Sequence, residues 1–261
     1  MDLTTAKHAF ITGGASGLGL GMADAFLKRG INVTIADIDA EAIAAVTAAR
    51  GNNVRGAELD VRNREAWAKA KADAEAAFGP VDILCCNAGI SPNGSEFADM
   101  SPESYDIIMA INLGGVINGI FAFAADMRAR GRGHIVVTSS QAGLTTTVQG
   151  VGAYSVAKFG VAAIGEQLRT EMAPHGVGVS VLCPGYVSTN LGANTVKIGG
   201  EIRKYSDYMP QVTIGPADVG EMVADGVAQD AAFIVTHKNV WRGVEKRMNT
   251  IKAACDYRLE N

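Results

Sequence analysis

Cysteine and histidine are scarce in this chain, and neither is spaced for metal binding. The 261 residues include four cysteines and four histidines, without a CxxC or HExxH motif. Cys85 and Cys86 are neighbours in an apolar run and should point to opposite faces of a buried strand, whereas Cys183 and Cys255 are isolated. The sequence therefore offers no ligand set for a zinc mechanism, and we expect the buried cysteines to act as small apolar residues without a redox role.

An excess of positive charge is also missing. The formal net charge is −4, the isoelectric point is near 5.6, and the basic residues are spread among acidic ones. This pattern lacks the cluster of basic residues that binding to nucleic acid or to an anionic membrane requires. The N-terminus lacks a basic region followed by an apolar stretch and a small-residue cleavage site, so we expect no secretory signal and a cytoplasmic location.

One uncharged run, residues 107–125, is long enough to be weighed as a membrane span. It contains Asn112, Asn118 and three glycines. We therefore predict a helix that covers a sheet and no contact with a membrane. Because a helix that is apolar on much of its circumference must be buried, a neighbouring subunit is the simplest cover for its remaining face. The run thus predicts a homo-oligomer.

Apolar runs alternate with helical patterns over the whole chain, without an internal repeat or a low-complexity linker. Repeated β-α units predict an α/β fold with right-handed crossovers, in which helices cover both faces of a doubly wound, parallel, seven-stranded sheet of the Rossmann type. We expect a single domain over residues 1–261. The predicted strands lie near residues 7–12, 31–37, 53–59, 81–87, 133–139, 177–183 and 232–236.

A glycine-rich segment, Thr12 to Gly19, follows the apolar run Ala9-Phe10-Ile11 and precedes a helical stretch. Glycines let the backbone turn sharply and approach a pyrophosphate, whose charge favours the N-terminus of a helix. The next predicted strand ends in Asp37, near the spacing expected for an acid that binds a ribose 2′-hydroxyl. No Lys or Arg stands at position 15, 16 or 38 to hold a 2′-phosphate. The sequence therefore predicts NAD rather than NADP.

Tyr154 and Lys158 are four residues apart on a predicted helix, so both side chains project from one face. A tyrosine hydroxyl titrates near ~10 in water, and a nearby ammonium group favours its ionised form. The pair is therefore a candidate acid/base near neutral pH.

These motifs together resemble the short-chain dehydrogenase/reductase family over nearly the whole chain. They occur in the family's order: Thr12 to Gly19, Asn87-Ala88-Gly89, Asn112, Ser140, Tyr154 with Lys158, and Pro184-Gly185. The resemblance implies that Tyr154 moves the hydroxyl proton and that Lys158 lowers its pKa and holds the nicotinamide ribose. It also implies that Ser140 orients the substrate oxygen and that Asn112 supports a proton relay. The implied cofactor-binding residues are Gly13, Ser16, Gly17, Leu18, Gly19, Asp37, Asp60, Val61, Asn87, Ala88, Gly89, Tyr154, Lys158, Pro184, Gly185, Val187 and Thr189.

Three positions have a second interpretation. Ser140 precedes Tyr154 by one residue more than is usual in the family, with the extra residue expected between 144 and 152, and the adjacent Ser139 is the fallback for the catalytic serine. Asn112 could instead be a buried amide bound to backbone, and Asp60 could cap a helix over 62–78. Asp60 could also do both.

The resemblance makes residues 188–213 a lid over the substrate site. This segment mixes apolar and aromatic residues with two cations, namely Leu191, Val196, Ile198, Tyr205, Tyr208, Met209, Arg203 and Lys204. An apolar or aromatic secondary alcohol would suit the first six, and a carboxylate-bearing one could use the cations. Residues 112–119 and 154–161 are also similar to bacterial dehydrogenases that oxidise benzylic alcohols in lignin-type aryl ethers.

The resulting prediction is an NAD-dependent enzyme that interconverts a secondary alcohol and a ketone by hydride transfer, and that assembles as a homotetramer. Two alternatives stay open: a carbonyl reductase for another substrate class, such as carrier-bound 3-oxoacyl chains, and a non-catalytic NAD sensor. A lyase or dehalogenase on the same fold is disfavoured by the intact glycine segment and Asp37.

Overall fold

The computed structural model describes residues 1–146, 148–197, 199–200, 202 and 213–259 of the chain. Strands and helices alternate along it, as the sequence predicts. The strands are β1 (His8–Thr12), β2 (Asn32–Asp37), β3 (Val54–Glu58), β4 (Ile83–Cys86), β5 (Gly133–Thr138), β6 (Val177–Cys183) and β7 (Phe233–Val235). The α-helices are α1 (Gly17–Leu27), α2 (Ala40–Arg50), α3 (Arg64–Phe78), α4 (Pro102–Met109), α5 (Gly115–Arg130), α6 (Gly152–Met172), α7 (Leu191–Lys197), α8 (Pro216–Ala228) and α9 (Trp241–Leu259).

All seven strands form one parallel sheet in the order β3-β2-β1-β4-β5-β6-β7. The Rossmann-type prediction is confirmed, and each predicted strand lies within two residues of the observed one. The strand order reverses between β1 and β4, which are hydrogen-bonded neighbours. At such a reversal the loops beyond the carboxyl ends of the strands diverge and leave a crevice where ligands bind.

The two faces of the sheet bury separate apolar layers, because side chains alternate along each strand. Phe10 packs on one face with Trp67 and Phe123, whose ring centroids lie 6.0 and 5.1 Å from its own. Cys86 belongs to this layer and Cys85 to the opposite one, so the expected opposite orientation of the two thiols is confirmed. Burial raises the pKa of both thiols, which keeps them protonated at neutral pH.

The uncharged run at residues 107–125 is not one regular helix. Helix α4 passes through a π-helical turn at Ala110–Gly114 into α5. By length and composition alone Pro102–Arg130 could cross a membrane, yet Phe123 and Met127 are fully buried in the core. The predicted helix that covers the sheet is therefore present, but it is interrupted at Asn112.

Helices α1 and α8 touch through their backbones. A β-carbon added at Gly21 would lie 2.1 Å from the carbonyl oxygen of Pro216, and one added at Gly220 would lie 2.1 Å from that of Gly21. Only glycine permits this approach. The helix that follows the glycine-rich segment is therefore fixed against an element about 200 residues later in the chain.

Candidate active site

The glycine-rich segment forms a tight turn between β1 and α1. Gly13 has φ of +63°, a conformation that side chains rarely adopt. A β-carbon added at Gly19 would lie 2.1 Å from the carbonyl oxygen of Gly13. The start of α1 is therefore pressed against the turn, with its free N–H groups beside the strand ends.

Replacing Gly19 by alanine should cost about 1–3 kcal/mol of unfolding free energy, because the new methyl group must push the turn and the helix apart. Binding of NADH should weaken in the same variant. Denaturant unfolding and NADH fluorescence titration would measure the two effects. Gly114→Ala is the matched control, because its β-carbon would have 3.6 Å to the nearest atom. Equal losses in both variants would contradict the explanation.

Asn87 and Ala88 join the end of β4 to the end of β1. The backbone N–H groups of Asn87 and Ala88 donate to Thr12 Oγ1 at 2.9 and 3.0 Å, and Asn87 Nδ2 donates to the Thr12 carbonyl at 2.9 Å. These bonds hold the two segments together at the point where the strand order reverses.

Asp37 lies at the carboxyl end of β2 with its carboxylate oriented by backbone donors. Oδ2 accepts from the N–H of Ala15 at 3.1 Å, and Oδ1 accepts from that of Asp39 at 3.2 Å. Ile38, beside it, also lines the crevice. The carboxylate is thus fixed next to the glycine turn, where a ribose hydroxyl would find an acceptor.

Asp60 is bound differently from the helix cap considered above. Asn63 caps α3, since its side chain accepts from the N–H groups of Glu65 and Ala66, so the capping interpretation of Asp60 was wrong. The Asp60 carboxylate instead pairs with the Arg62 guanidinium at 2.6 Å, and this hydrogen bond lowers the pKa of Asp60. Both residues line the crevice with Val61.

Lys158 is almost completely buried on α6, at 3% exposure, with Nζ donating to the carbonyl of Thr138 at 2.9 Å. Nζ also lies 5.5 Å from the centre of the Tyr154 ring. Burial lowers the pKa of Lys158 to about 8, so the group stays largely charged at pH 7. A charge held inside the protein beside a tyrosine is typical of a functional site.

The two candidate serines differ in their partners. The hydroxyl of Ser139 donates to the Lys158 carbonyl at 2.7 Å and is buried, so it is engaged with α6. Ser140 Oγ accepts from the N–H of Ala142 at 3.1 Å, its one hydrogen bond within the described part of the chain, and it can still donate its proton. This difference favours Ser140 over Ser139 as the group facing a substrate oxygen, and its role stays a prediction.

Asn112 occupies the π-helical turn and is fully buried. Its side chain accepts from the N–H of Ile90 at 2.9 Å and donates to the Ile90 carbonyl at 3.1 Å. The backbone-bound interpretation is therefore satisfied, while Asn112 also lines the crevice. π-Helical turns occur frequently at functional sites, so both interpretations hold together here.

The Pro184–Gly185 turn is held by Thr236, the last residue of a predicted strand, through a contact that was not predicted. The N–H of Gly185 donates to Thr236 Oγ1 at 3.0 Å, and this hydroxyl is 2.7 Å from Nδ1 of His237. Thr236 follows β7 directly, and β7 pairs with β6, so Thr236 lies beside the turn that follows β6. A single threonine carries no sequence signal for such a contact.

Helix α7, within the predicted lid, is attached to both sides of the crevice. Thr195 Oγ1 accepts from the N–H of Ser91 at 3.0 Å, and Asn194 Nδ2 donates to Ser16 Oγ at 3.1 Å. Leu191 and Val196 of the predicted lid are exposed. The other lid residues named from the sequence, Ile198, Arg203, Lys204, Tyr205, Tyr208 and Met209, lie outside the described residues.

One crevice of about 430 Å³ brings these groups together. All the predicted site residues line it except Gly19, which packs behind the turn. Sequence reasoning missed a further set of lining residues, which lie in loops after the strands, at the end of β5, in the π-helical turn and in α7: Ile38, Leu59, Arg62, Ile90, Ser91, Pro92, Ile111, Thr138, Tyr186, Asn190, Gly192, Asn194 and Ile202.

Comparison with known proteins shows the family to which the chain belongs. The family model for short chain dehydrogenases matches residues 7–197. A C alpha-dehydrogenase of Sphingobium sp. strain NBRC 103272 / SYK-6 is 34% identical over 93% of this chain and 84% of that protein. The apo form of LigO from Sphingobium sp. strain SYK-6 is 31% identical, with a TM-score of 0.83 over 99% of this chain and 92% of that one.

A short chain dehydrogenase/reductase from Burkholderia phymatum, solved in complex with NAD, is 28% identical and has a TM-score of 0.88 over 97% of both chains. The family match extends over the glycine turn, Asp37, Tyr154 and Lys158. The chain belongs to the short chain dehydrogenase family of oxidoreductases.

Proposed function

We propose that this protein is an NAD-dependent dehydrogenase that interconverts a secondary alcohol and a ketone. The observation that supports this best is the position of Tyr154 and the buried Lys158 on the same crevice as the glycine turn and Asp37. A proton-transfer group and a dinucleotide cradle are both needed for such a reaction. A sensor that only binds the dinucleotide could use the lysine to hold a ribose but would not need the tyrosine hydroxyl beside it.

The crevice fits NAD. The glycine turn and the start of α1 would hold the pyrophosphate, and Asp37 would accept from the adenine ribose. Asp60 and Val61 would lie along the adenine, and Pro184, Gly185, Val187 and Thr189 along the nicotinamide end. NAD supplies the hydride acceptor when it is bound.

The protein's own residues manage the proton. Tyr154 takes the hydroxyl proton of the alcohol, and Ser140 donates a hydrogen bond that orients the oxygen. The Lys158 ammonium stabilises the ionised tyrosine and would also bind the nicotinamide ribose. Asn112, held on the backbone of Ile90, fixes the turn beside these groups.

The described substrate side of the crevice favours an apolar or aromatic alcohol. Ile90, Pro92, Tyr186, Leu191 and Ile202 line the crevice. We assign them to its substrate side, and apolar walls of this kind bind apolar ligands. The similarity to a C alpha-dehydrogenase points in the same direction. We further propose a cytoplasmic homotetramer, in which the exposed Phe121 and the outer face of α5 contact a neighbouring subunit.

The first test is NADH formation with NAD or NADP and a panel of benzylic, cyclic and aliphatic secondary alcohols. Turnover with NAD supports the proposal, and the best alcohol defines the pocket. Tight NADH binding without turnover on any alcohol or ketone would favour a sensor. No binding of either dinucleotide would contradict the cofactor assignment itself.

Cofactor choice should depend on the charge of Asp37. Replacing Asp37 by asparagine keeps the side-chain shape but removes repulsion of a 2′-phosphate, and we expect the ratio of kcat/KM for NADP over NAD to rise by about tenfold or more. The matched control is Asp39→Asn, because Asp39 caps α2 and does not line the crevice. An unchanged ratio in Asp37→Asn would contradict the role of Asp37.

A further inference from the structure

Helix α9 presents apolar side chains to solvent, away from the crevice. Trp241 is 62% exposed, Met248 50% and Ile251 43%, and Cys255 is a free, exposed thiol. Large apolar groups exposed along one helix indicate a surface that binds another protein segment.

These residues follow the spacing of a coiled coil. Trp241, Val244, Met248, Ile251 and Cys255 are separated by three, four, three and four residues in turn. This places them at the a and d positions of a heptad, where a narrow apolar stripe pairs with a second helix. We call these five residues the α9 seam.

Helix α9 contacts the rest of the chain through residues outside the seam, and the seam stays accessible. The Arg247 guanidinium, at a g position, lies 5.0 Å from the centre of the Phe159 ring on α6. Near the start of the helix, Gly243 lies close to Thr145, since an added β-carbon would be 3.0 Å from its hydroxyl. The helix is therefore anchored, and an approaching helix would meet a preformed surface.

The charges beside the seam distinguish two ways of pairing it with a second copy. Glu245 and Lys252 are both at e positions. In an antiparallel pair the e positions of the two helices face each other, so Glu245 of each copy lies opposite Lys252 of the other, and the symmetry gives two such pairs. In a parallel pair, g faces e, which sets Arg247 against Lys252 of the second copy twice. The first arrangement is attractive and the second repulsive.

We propose that the α9 seams of two copies of this chain pack against each other in antiparallel orientation. Met248 then packs on Ile251 of the second copy, and Val244 packs on Cys255 of the second copy. This contact is independent of the dehydrogenase reaction. It is also separate from the proposed subunit contact through α5.

Disulfide trapping in the full-length protein tests the register. In Val244→Cys, the new thiol should form a disulfide with Cys255 of the second copy under a mild oxidant, because facing a and d positions bring their β-carbons within reach. Within one chain the two residues are about 16 Å apart along the helix, too far for a bond. The matched control is Ala253→Cys, which lies at the f position opposite the seam and should give only the background of the unmodified protein.

Charge reversal in the Val244→Cys protein tests the orientation. Lys252→Glu should lower the yield of linked dimer at a fixed low protein concentration by about tenfold, because two attractive pairs become repulsive. Adding Glu245→Lys should restore the yield. Circular dichroism and NADH binding verify that each variant is folded.

Two results would overturn the proposal. Efficient linking of the unmodified protein through Cys255 alone would show a parallel pair, in which the two Cys255 side chains face each other. A Val244→Cys yield no higher than that of Ala253→Cys would show that the seam does not meet a second copy.

Discussion

Replacing Tyr154 by phenylalanine should lower kcat by about a thousandfold. The substitution removes only the hydroxyl, and proton transfer by a positioned side chain contributes roughly 10²- to 10⁴-fold to catalysis. The ring stays beside Lys158, whose Nζ lies 5.5 Å from its centre. NADH binding should therefore stay within about threefold of the unmodified protein, since the ring and the glycine turn are unchanged.

Stopped-flow or steady-state NADH formation measures the first effect and fluorescence titration the second. Tyr105→Phe is the matched control, because Tyr105 lies on α4 and does not line the crevice. If Tyr154→Phe kept more than about a tenth of the turnover, acid/base catalysis by this hydroxyl would be refuted.

Replacing Lys158 by methionine should abolish most turnover and, at pH 7, stabilise the fold without ligand. The pKa of Lys158 falls from the ordinary 10.5 to about 8 because the side chain is buried. At pH 7 the folded protein therefore holds a charged lysine that burial disfavours, which lowers the free energy of unfolding by about 3 kcal/mol. Methionine fills a similar volume without that charge, although the Thr138 carbonyl loses its donor.

The sign of the pH dependence separates this explanation from improved packing. Between pH 8 and 10.5 the unfolded chain keeps a proton on Lys158 that the folded chain has lost, so the stability of the unmodified protein rises with pH through this window. The advantage of Lys158→Met should accordingly shrink from pH 7 to pH 10. Urea unfolding at both pH values measures it, and a constant advantage, or a less stable variant at pH 7, would contradict the burial cost.

Local sequence patterns were sufficient to predict the sheet, the glycine turn with Asp37, and the pair Tyr154 and Lys158. Parallel strands buried on both faces appear as short apolar runs, so each of the seven could be located within two residues. The carboxyl ends of such strands share one edge of the sheet. Asp37 and the glycine turn could therefore be placed beside each other before the fold was known.

Contacts between distant segments could not be predicted in the same way. The bond from Gly185 to Thr236 and the bond from Asn194 to Ser16 depend on how loops pack over the crevice. Asp60 was ambiguous because Asn63, three residues later, offers the same capping chemistry, and only the helix start at Arg64 decides between them. The π-helical turn at Asn112 leaves no distinct periodicity in so uniform an apolar run.

The contact between Gly21 and Gly220 has a consequence for how the molecule forms. Helix α1 cannot reach its final packing until α8 exists, and the two are separated by almost the whole chain. Closing so long a loop is slow. In a chain emerging from the ribosome, α1 would lack its packing partner α8 for most of synthesis. The glycine turn and the start of α1, although encoded in the first twenty residues, should therefore be among the last parts of the protein to mature.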